Sequence, residues 1–342
     1  MAYEPFEHLP LGRTGLSVTR LGLGGASIGG LFEPVTDADA ALVVEHAWRL
    51  GVRHFDVAPL YGYGAAERRM GSVLAALPRD EFVLSTKVGR LVRPLGALQP
   101  GDDLDRQAIG DRDDAYYAEV GDRRIVFDYS ADGVRRSVEA SLERLGLERI
   151  DILYIHDPDR HWREALEGAY PALDRLRAEG VVGAIGAGMN QWQMLARFAS
   201  ETDVDVLLVA NRYTLLDPGG LAELLPRCLE RGIAVLVAGV LNSGLMVDPG
   251  RGGHFDYGPP PDEMVVRARR IALICERHGV PVRAAAIQFP LAHPAVTGVI
   301  AGVRTPAHLD DYPASLRLQI PAALWAELRA AGLIPAGAPT PE

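Results

Sequence analysis

Three apolar runs of strand length carry residues that a buried strand rarely tolerates without a partner or a task. RHFDVA (53–58) contains Asp56, FVLSTK (82–87) ends at Lys87 and DILYIH (151–156) ends at His156. Tyr61 follows Asp56 inside the turn APLYGYG, so its ring can fold back over the same strand ends. A carboxylate, a phenol, an ammonium and an imidazole form a coherent set for proton transfer. A phenol with an ordinary pKa of about 10 trades protons poorly near neutrality, and a cation within roughly 4–6 Å favours its phenolate. Lys87 is therefore expected to activate Tyr61, Asp56 to keep Lys87 charged and aimed, and His156 to hydrogen-bond and orient a substrate oxygen. Plainer readings use the same residues: Tyr61 as packing in a Gly-flanked turn, Asp56 and Lys87 as a structural ion pair, His156 as a satisfied strand-end histidine. A strand-end lysine can also form a Schiff base with a carbonyl substrate.

Further apolar runs of strand length are VGAIGA (182–187), DVLLVAN (205–211), IAVLVA (233–238) and TGVIAG (297–302), with RLGLGG (20–25) a Gly-rich eighth. Helical patterns lie between them. Val134, Val138, Leu142 and Leu145 recur at helical spacing behind Ser130 or Asp132 as cap and before Gly146 as stop. Trp162, Leu166, Leu173 and Leu176 form a second stripe closing at Gly180, and further helices are expected at 37–50, 64–77, 190–200, 219–231 and 263–278. Strands that alternate with helices pair in parallel through right-handed crossovers, and near-continuous apolar strands are buried on both faces. Eight such units predict an α/β fold, a closed (β/α)8 TIM barrel formed by one domain over residues 1–342, with its reactive groups at the C-terminal strand ends.

LGLGGASIGG (21–30) imitates a dinucleotide-binding turn but reads G-x-G-x-x-S, and the next helix waits until about Thr36, so it is taken as a decoy. HLPLGRTGLSVTR predicts an N-terminal β-hairpin capping the barrel bottom. Residues 88–129, rich in Asp, Arg and Gly and containing Tyr116 and Tyr117, form a loop far longer than usual on the catalytic face. It is expected to be a substrate lid, with a disordered insertion as the alternative. A second long loop covers 242–262.

Acidic residues outnumber basic ones 45 to 35, giving a net charge of -10, so no global attraction to nucleic acid or anionic lipid is expected. No secretory leader and no long apolar span is recognised, which predicts a cytoplasmic protein. Cys228 and Cys275 lack metal or disulfide spacing and are expected to be buried, reduced thiols. The nine histidines show no metal-binding helix pattern, so no metal is expected.

FDVAPLYG (55–62), STKVG (85–89) and ILYIHDP (152–158) resemble, in order, the Asp, Tyr, Lys and His segments of the aldo-keto reductase family. The resemblance runs over nearly the whole chain and assigns the catalytic tetrad to Asp56, Tyr61, Lys87 and His156. It implies a barrel that binds extended NAD or NADP across its strand ends without a Rossmann domain. GAGMN (186–190) resembles the family segment that holds the nicotinamide carboxamide, so Asn190 matches while Met189 replaces a serine, and Asn211 stands where glutamine is common. Ala238 occupies the place of a tyrosine that stacks on the nicotinamide, and Gly239, Leu241 and Asn242 are candidates for backbone contacts to the pyrophosphate. IAGVRTPAHLDD (300–311) is similar to the adenosine-binding run, bringing in Gly302, Arg304, Thr305 and His308. Gly302 and His308 replace the Lys and Arg of NADP-preferring members and Tyr312 replaces an Asn, which leans towards NAD.

FVLSTKVGRLVRP, NRYTLLD, LNSGLM and AAIQFPLAHPAV look most like the branch that oxidises the anomeric hydroxyl of aldoses such as L-fucose, D-arabinose or L-galactose to the lactone. The expected partner is thus a small sugar or aldehyde. Pyridoxal dehydrogenases look similar, and a general aldehyde or ketone reductase is a further possibility. A redox-sensing nucleotide-binding subunit with little turnover is the alternative from another class.

Overall fold

A computed structural model describes residues 2–105, 116–118, 120–250 and 254–341. Eight parallel strands close into a barrel: β3 (Leu21–Gly24), β4 (His54–Asp56), β5 (Val83–Val88), β8 (Ile152–His156), β9 (Ala184–Met189), β10 (Val206–Ala210), β11 (Ala234–Ala238) and β12 (Val296–Gly302), which returns to β3. Each corresponds to one expected apolar run. The open dinucleotide-binding sheet is excluded by this closure, and LGLGGASIGG is a strand leading into a turn, with the following helix beginning at Asp37.

The remaining strands lie outside the barrel. β1 (His8–Pro10) and β2 (Ser17–Thr19) form an antiparallel hairpin. Its Leu11 and Val18 share an apolar cluster with Ile152, Ala184, Val206 and Ala234 from the starts of the barrel strands, so the hairpin plugs the N-terminal mouth. Gly12 makes the plug possible: its φ is 54°, and a Cβ there would stand 2.8 Å from the Gly232 carbonyl oxygen.

β6 (Arg90–Pro94) and β7 (Arg123–Phe127) pair antiparallel within the long insertion, with five paired positions from Arg90↔Phe127 to Pro94↔Arg123. The described part of residues 88–129 is therefore a ribbon standing on the C-terminal face; residues 106–115 and 119 lie outside the described residues. Tyr117 is buried, and Leu31 bridges to it across the mouth.

Helix ends follow local chemistry. Thr36 accepts from the Asp39 amide at the start of Asp37–Leu50, and Ser130 from the Gly133 amide at the start of Ala131–Leu145, whose last turn ends on left-handed Gly146. Three helices carry no clear amphipathic stripe. Val282–Leu291 is buried at every position from Ala284 onward, Pro306–Arg317 holds Pro313 internally, and Ala322–Ala330 is short. The stripe Trp162 to Leu176 becomes a helix interrupted by a π turn at Ala165–Ala169. Cys228 and Cys275 are buried free thiols. No described helix is long and apolar enough to cross a membrane.

Candidate active site

The barrel directs Asp56, Lys87 and His156 to one end, because each stands at or next to the C-terminus of its strand. The Lys87 ammonium lies 2.7 Å from Asp56 Oδ2 and donates to the Val57 carbonyl at 3.0 Å, while Ser85 donates to Asp56 Oδ1 at 2.8 Å. Both charged groups are buried, so the pair forms the floor of the site. Lys87 Nζ sits 4.7 Å from the Tyr61 ring centroid, and the Tyr61 and His156 rings meet edge to face at 5.8 Å. The four residues thus form one group, with Asp56 and the Tyr61 ring lining the cleft above.

The electrostatics differ from the expected activation of Tyr61. Burial pushes its phenol well above 10, and the Asp56 carboxylate reinforces that shift, so Tyr61 rests protonated. Lys87 is close, but its charge is already matched by Asp56. Burial, with Arg90 and Lys87 adding repulsion, holds the His156 imidazole well below its ordinary pKa, and it is neutral near pH 7.

A cleft of about 550 Å³ extends from Tyr61 along the strand ends. Asn190 and Asn211 line it, and the Asn211 amide donates to Asn190 Oδ1 at 3.2 Å. Two convergent amides fit a carboxamide, which both donates and accepts. Gly239 is obligatory beside them: its φ is 66°, and a Cβ would lie 2.2 Å from Asn211 Oδ1. Leu241, Gly302, Arg304 and His308 line the far part. Asn242 and Thr305, each next to a lining residue, do not line it with their side chains. The Asn242 side chain accepts from Thr214 and donates to the Asn211 carbonyl, holding the loop after β11, and Thr305 caps the helix Pro306–Arg317. Arg304 pairs with Glu33 at 3.0 Å and donates to the Leu31 carbonyl.

Several lining residues were not expected from the sequence. Ala26 and Ser27, within the decoy glycine run, face the cleft, as does Arg283, while Tyr312 lines it where the resemblance placed the adenosine end. Tyr257 accepts from the Asn190 amide at 3.1 Å and meets Tyr116 at 4.6 Å between ring centroids, while Phe32 stacks on His254 at 3.9 Å. These rings come from three separate loops; Tyr116 lay in the expected lid over 88–129, whereas Phe32, His254 and Tyr257 were not singled out. Among the described residues no cluster of three His, Cys, Asp or Glu could hold a metal.

A barrel with this tetrad and a cleft across its strand ends matches the sequence profile of the aldo/keto reductase family over residues 20–332. The chain belongs to the aldo/keto reductase family. It is 46% identical to a D-threo-aldose 1-dehydrogenase from Pseudomonas sp, over 94% of this chain and 96% of that one. It is 42% identical to a pyridoxal 4-dehydrogenase from Microbacterium luteolum, over 98% of this chain and 100% of the other. An aldo-keto reductase from Bacillus halodurans, solved in its holo form, superposes with a TM-score of 0.72 at 21% identity, covering 97% of each chain, and shares the fold. As a member of this family the chain is an oxidoreductase that uses a nicotinamide cofactor and a small-molecule substrate.

Proposed function

We propose that this reductase-family barrel is an NAD-dependent aldose 1-dehydrogenase, oxidising the anomeric hydroxyl of a sugar such as L-fucose, D-arabinose or L-galactose to the lactone. The observation that carries the reading is the tetrad joined to the amide pair of Asn190 and Asn211, in a chain 46% identical to an aldose dehydrogenase. The cofactor, when bound, supplies the hydride acceptor. Asn190 and Asn211 would hold its carboxamide, and the backbone around Gly239 and Leu241 its pyrophosphate.

Tyr61 exchanges the proton of the reacting oxygen, His156 orients that oxygen, and Asp56 fixes Lys87 beneath the phenol. With Tyr61 resting protonated, the group is ready to donate to a carbonyl oxygen, and in the oxidative direction it must first lose its proton. Oxidation is therefore expected to accelerate steadily between about pH 7 and 10 without a plateau. Tyr61→Phe should bind nucleotide within about twofold of wild type and lose roughly 10²–10⁴-fold in kcat, the range for a positioned proton donor. Wild-type kcat in that variant refutes the role.

The lean to NAD is supported by charge. Arg304 and Arg283, the two arginines that line the cleft and could have met a ribose phosphate, are already paired with Glu33 and Asp311. Pyridoxal is the second substrate reading, favoured by the 42% relative over the full chain. Nucleotide reduction with NAD and NADP against L-fucose, D-arabinose, L-galactose and pyridoxal separates the two; no turnover with any sugar removes the aldose claim.

A further inference from the structure

We infer that Asp157 is a positioning residue for His156: its carboxylate selects the imidazole tautomer protonated on Nε2 and ties that choice to the ribbon β6–β7 and to Asn190. The inference rests on the reading that His156 orients the substrate oxygen. A neutral imidazole carries one proton, and the surroundings of its two nitrogens decide which one holds it. His156 Nε2 lies 3.5 Å from Asp157 Oδ2, whereas Nδ1 is buried with no hydrogen-bond partner among the described residues. An anion beside Nε2 and no acceptor at Nδ1 place the proton on Nε2. At 3.5 Å the contact is too long to be a good hydrogen bond, so the Nε2–H is biased without being consumed and stays free to donate to a substrate oxygen.

Asp157 is held for this task from several sides. Arg90 of β6 reaches its Oδ2 at 3.2 Å and also pairs with Asp105 at 2.9 Å. Its Oδ1 accepts from the Asn190 backbone amide at 3.2 Å. Tyr129 Oη donates to the carbonyls of His156 and Asp157, at 2.7 and 3.1 Å. The residue adopts φ of 39°, a left-handed conformation that a non-glycine keeps only when its surroundings impose it. It also lines a second pocket, of about 400 Å³, between the ribbon and the loop after β8.

Among the described residues, the charged and titratable groups around Asp157 are Arg90, Asp103, Asp105 and Tyr129 from the insertion, Lys87 of β5, Asp159, Arg160 and His161 of its own loop, His156, and the phenols of Tyr61, Tyr117 and Tyr257. Burial raises its carboxyl to about 6 against the pull of Arg90, while Tyr61 is displaced well above 10 and His156 well below 6.5. Between pH 5 and 8 the charge beside His156 that changes is that of Asp157, and the tautomer bias weakens as pH falls through about 6.

The test is ¹⁵N NMR of the full-length protein labelled at histidine, with the His156 signals assigned through His156→Gln. It is paired with pH profiles of kcat/KM on whichever of L-fucose, D-arabinose, L-galactose and pyridoxal turns over fastest. In wild type the Nε2–H tautomer dominates at pH 7.5 and yields to a mixture below pH 6. Asp157→Asn is expected to show the mixture at all pH values, to lose about tenfold in kcat with KM for nucleotide within twofold, and to lack the acid limb near pH 6. A tautomer ratio constant from pH 5 to 8 in wild type overturns the inference even if the variant does not fold, and so does a wild-type acid limb in Asp157→Asn. Unchanged turnover in His156→Gln instead overturns the orienting role of His156, and the tautomer measurement still reads Asp157.

Discussion

Removing one charge from the floor of the site should cost far more than removing both. Lys87 and Asp56 are 1% and 3% exposed and meet at 2.7 Å. Asp56→Asn keeps the shape and removes the counter-charge, leaving the ammonium with the Val57 carbonyl and the Tyr61 and Tyr154 rings at 4.7 and 6.0 Å. Lys87→Met leaves the carboxylate with the single hydroxyl of Ser85. Breaking a buried pair from one side costs about 3–5 kcal/mol, because the surviving ion is desolvated without compensation, whereas removing both ions is often close to neutral. Each single variant is thus expected to lose about 3–5 kcal/mol, and the double variant about 2 kcal/mol or less, giving a coupling of at least about 4 kcal/mol. Urea unfolding followed by far-ultraviolet circular dichroism, with the slope m fitted separately for each variant, reads these values. All three variants should be inactive, so the measurement isolates stability from turnover. Single losses that add to within about 0.5 kcal/mol would refute the argument, since independent sites behave that way.

His54, buried with neither ring nitrogen partnered among the described residues, is pushed down to about 4 by burial. The unfolded chain therefore binds the extra proton first, and stability present above pH 6.5 is lost as pH falls towards 4, by roughly 3 kcal/mol at about 1.4 per pH unit. His54→Leu should flatten that slope in urea melts taken across this range; an unchanged slope argues against a neutral buried His54. Gly71→Ala places a Cβ 2.1 Å from the Leu145 carbonyl oxygen, where the helices Ala65–Leu74 and Ala131–Leu145 touch. Overpacking of about 1–3 kcal/mol outweighs the gain of about 0.8–1 kcal/mol in helix propensity, so thermal stability should fall; a rise would mean the helices separate easily. Glu33→Gln frees Arg304 and should raise kcat/KM with NADP relative to NAD by several-fold, whereas a constant ratio removes Glu33 from coenzyme choice.

Much of the architecture was legible in the sequence because its causes are local. Strand-length apolar runs, the stripe Val134 to Leu145 and the caps at Ser130 and Gly146 each depend on residues within a turn or two, and the barrel follows from alternating them eight times. The grouping of Asp56, Lys87 and His156 was legible for the same reason: a parallel barrel sends every strand end to one face, so a polar residue ending an apolar run declares its place. Helix Val282–Leu291 escaped because a helix buried on all sides has no stripe.

What only the tertiary structure decided depends on groups far apart in the chain. The protonation of Tyr61 is set by burial under loops from three regions, and no motif encodes that burial. Asn242 and Thr305 lie in the expected segments, yet their side chains turn to Thr214 and to a helix end. Asp157 takes its role from Arg90, 67 positions earlier, and Asn190, 33 later, which meet on its carboxylate. Residue types and spacing determined which groups reach the barrel mouth; solvation and long-range pairing, which exist only after the chain closes, determined which proton each of them holds.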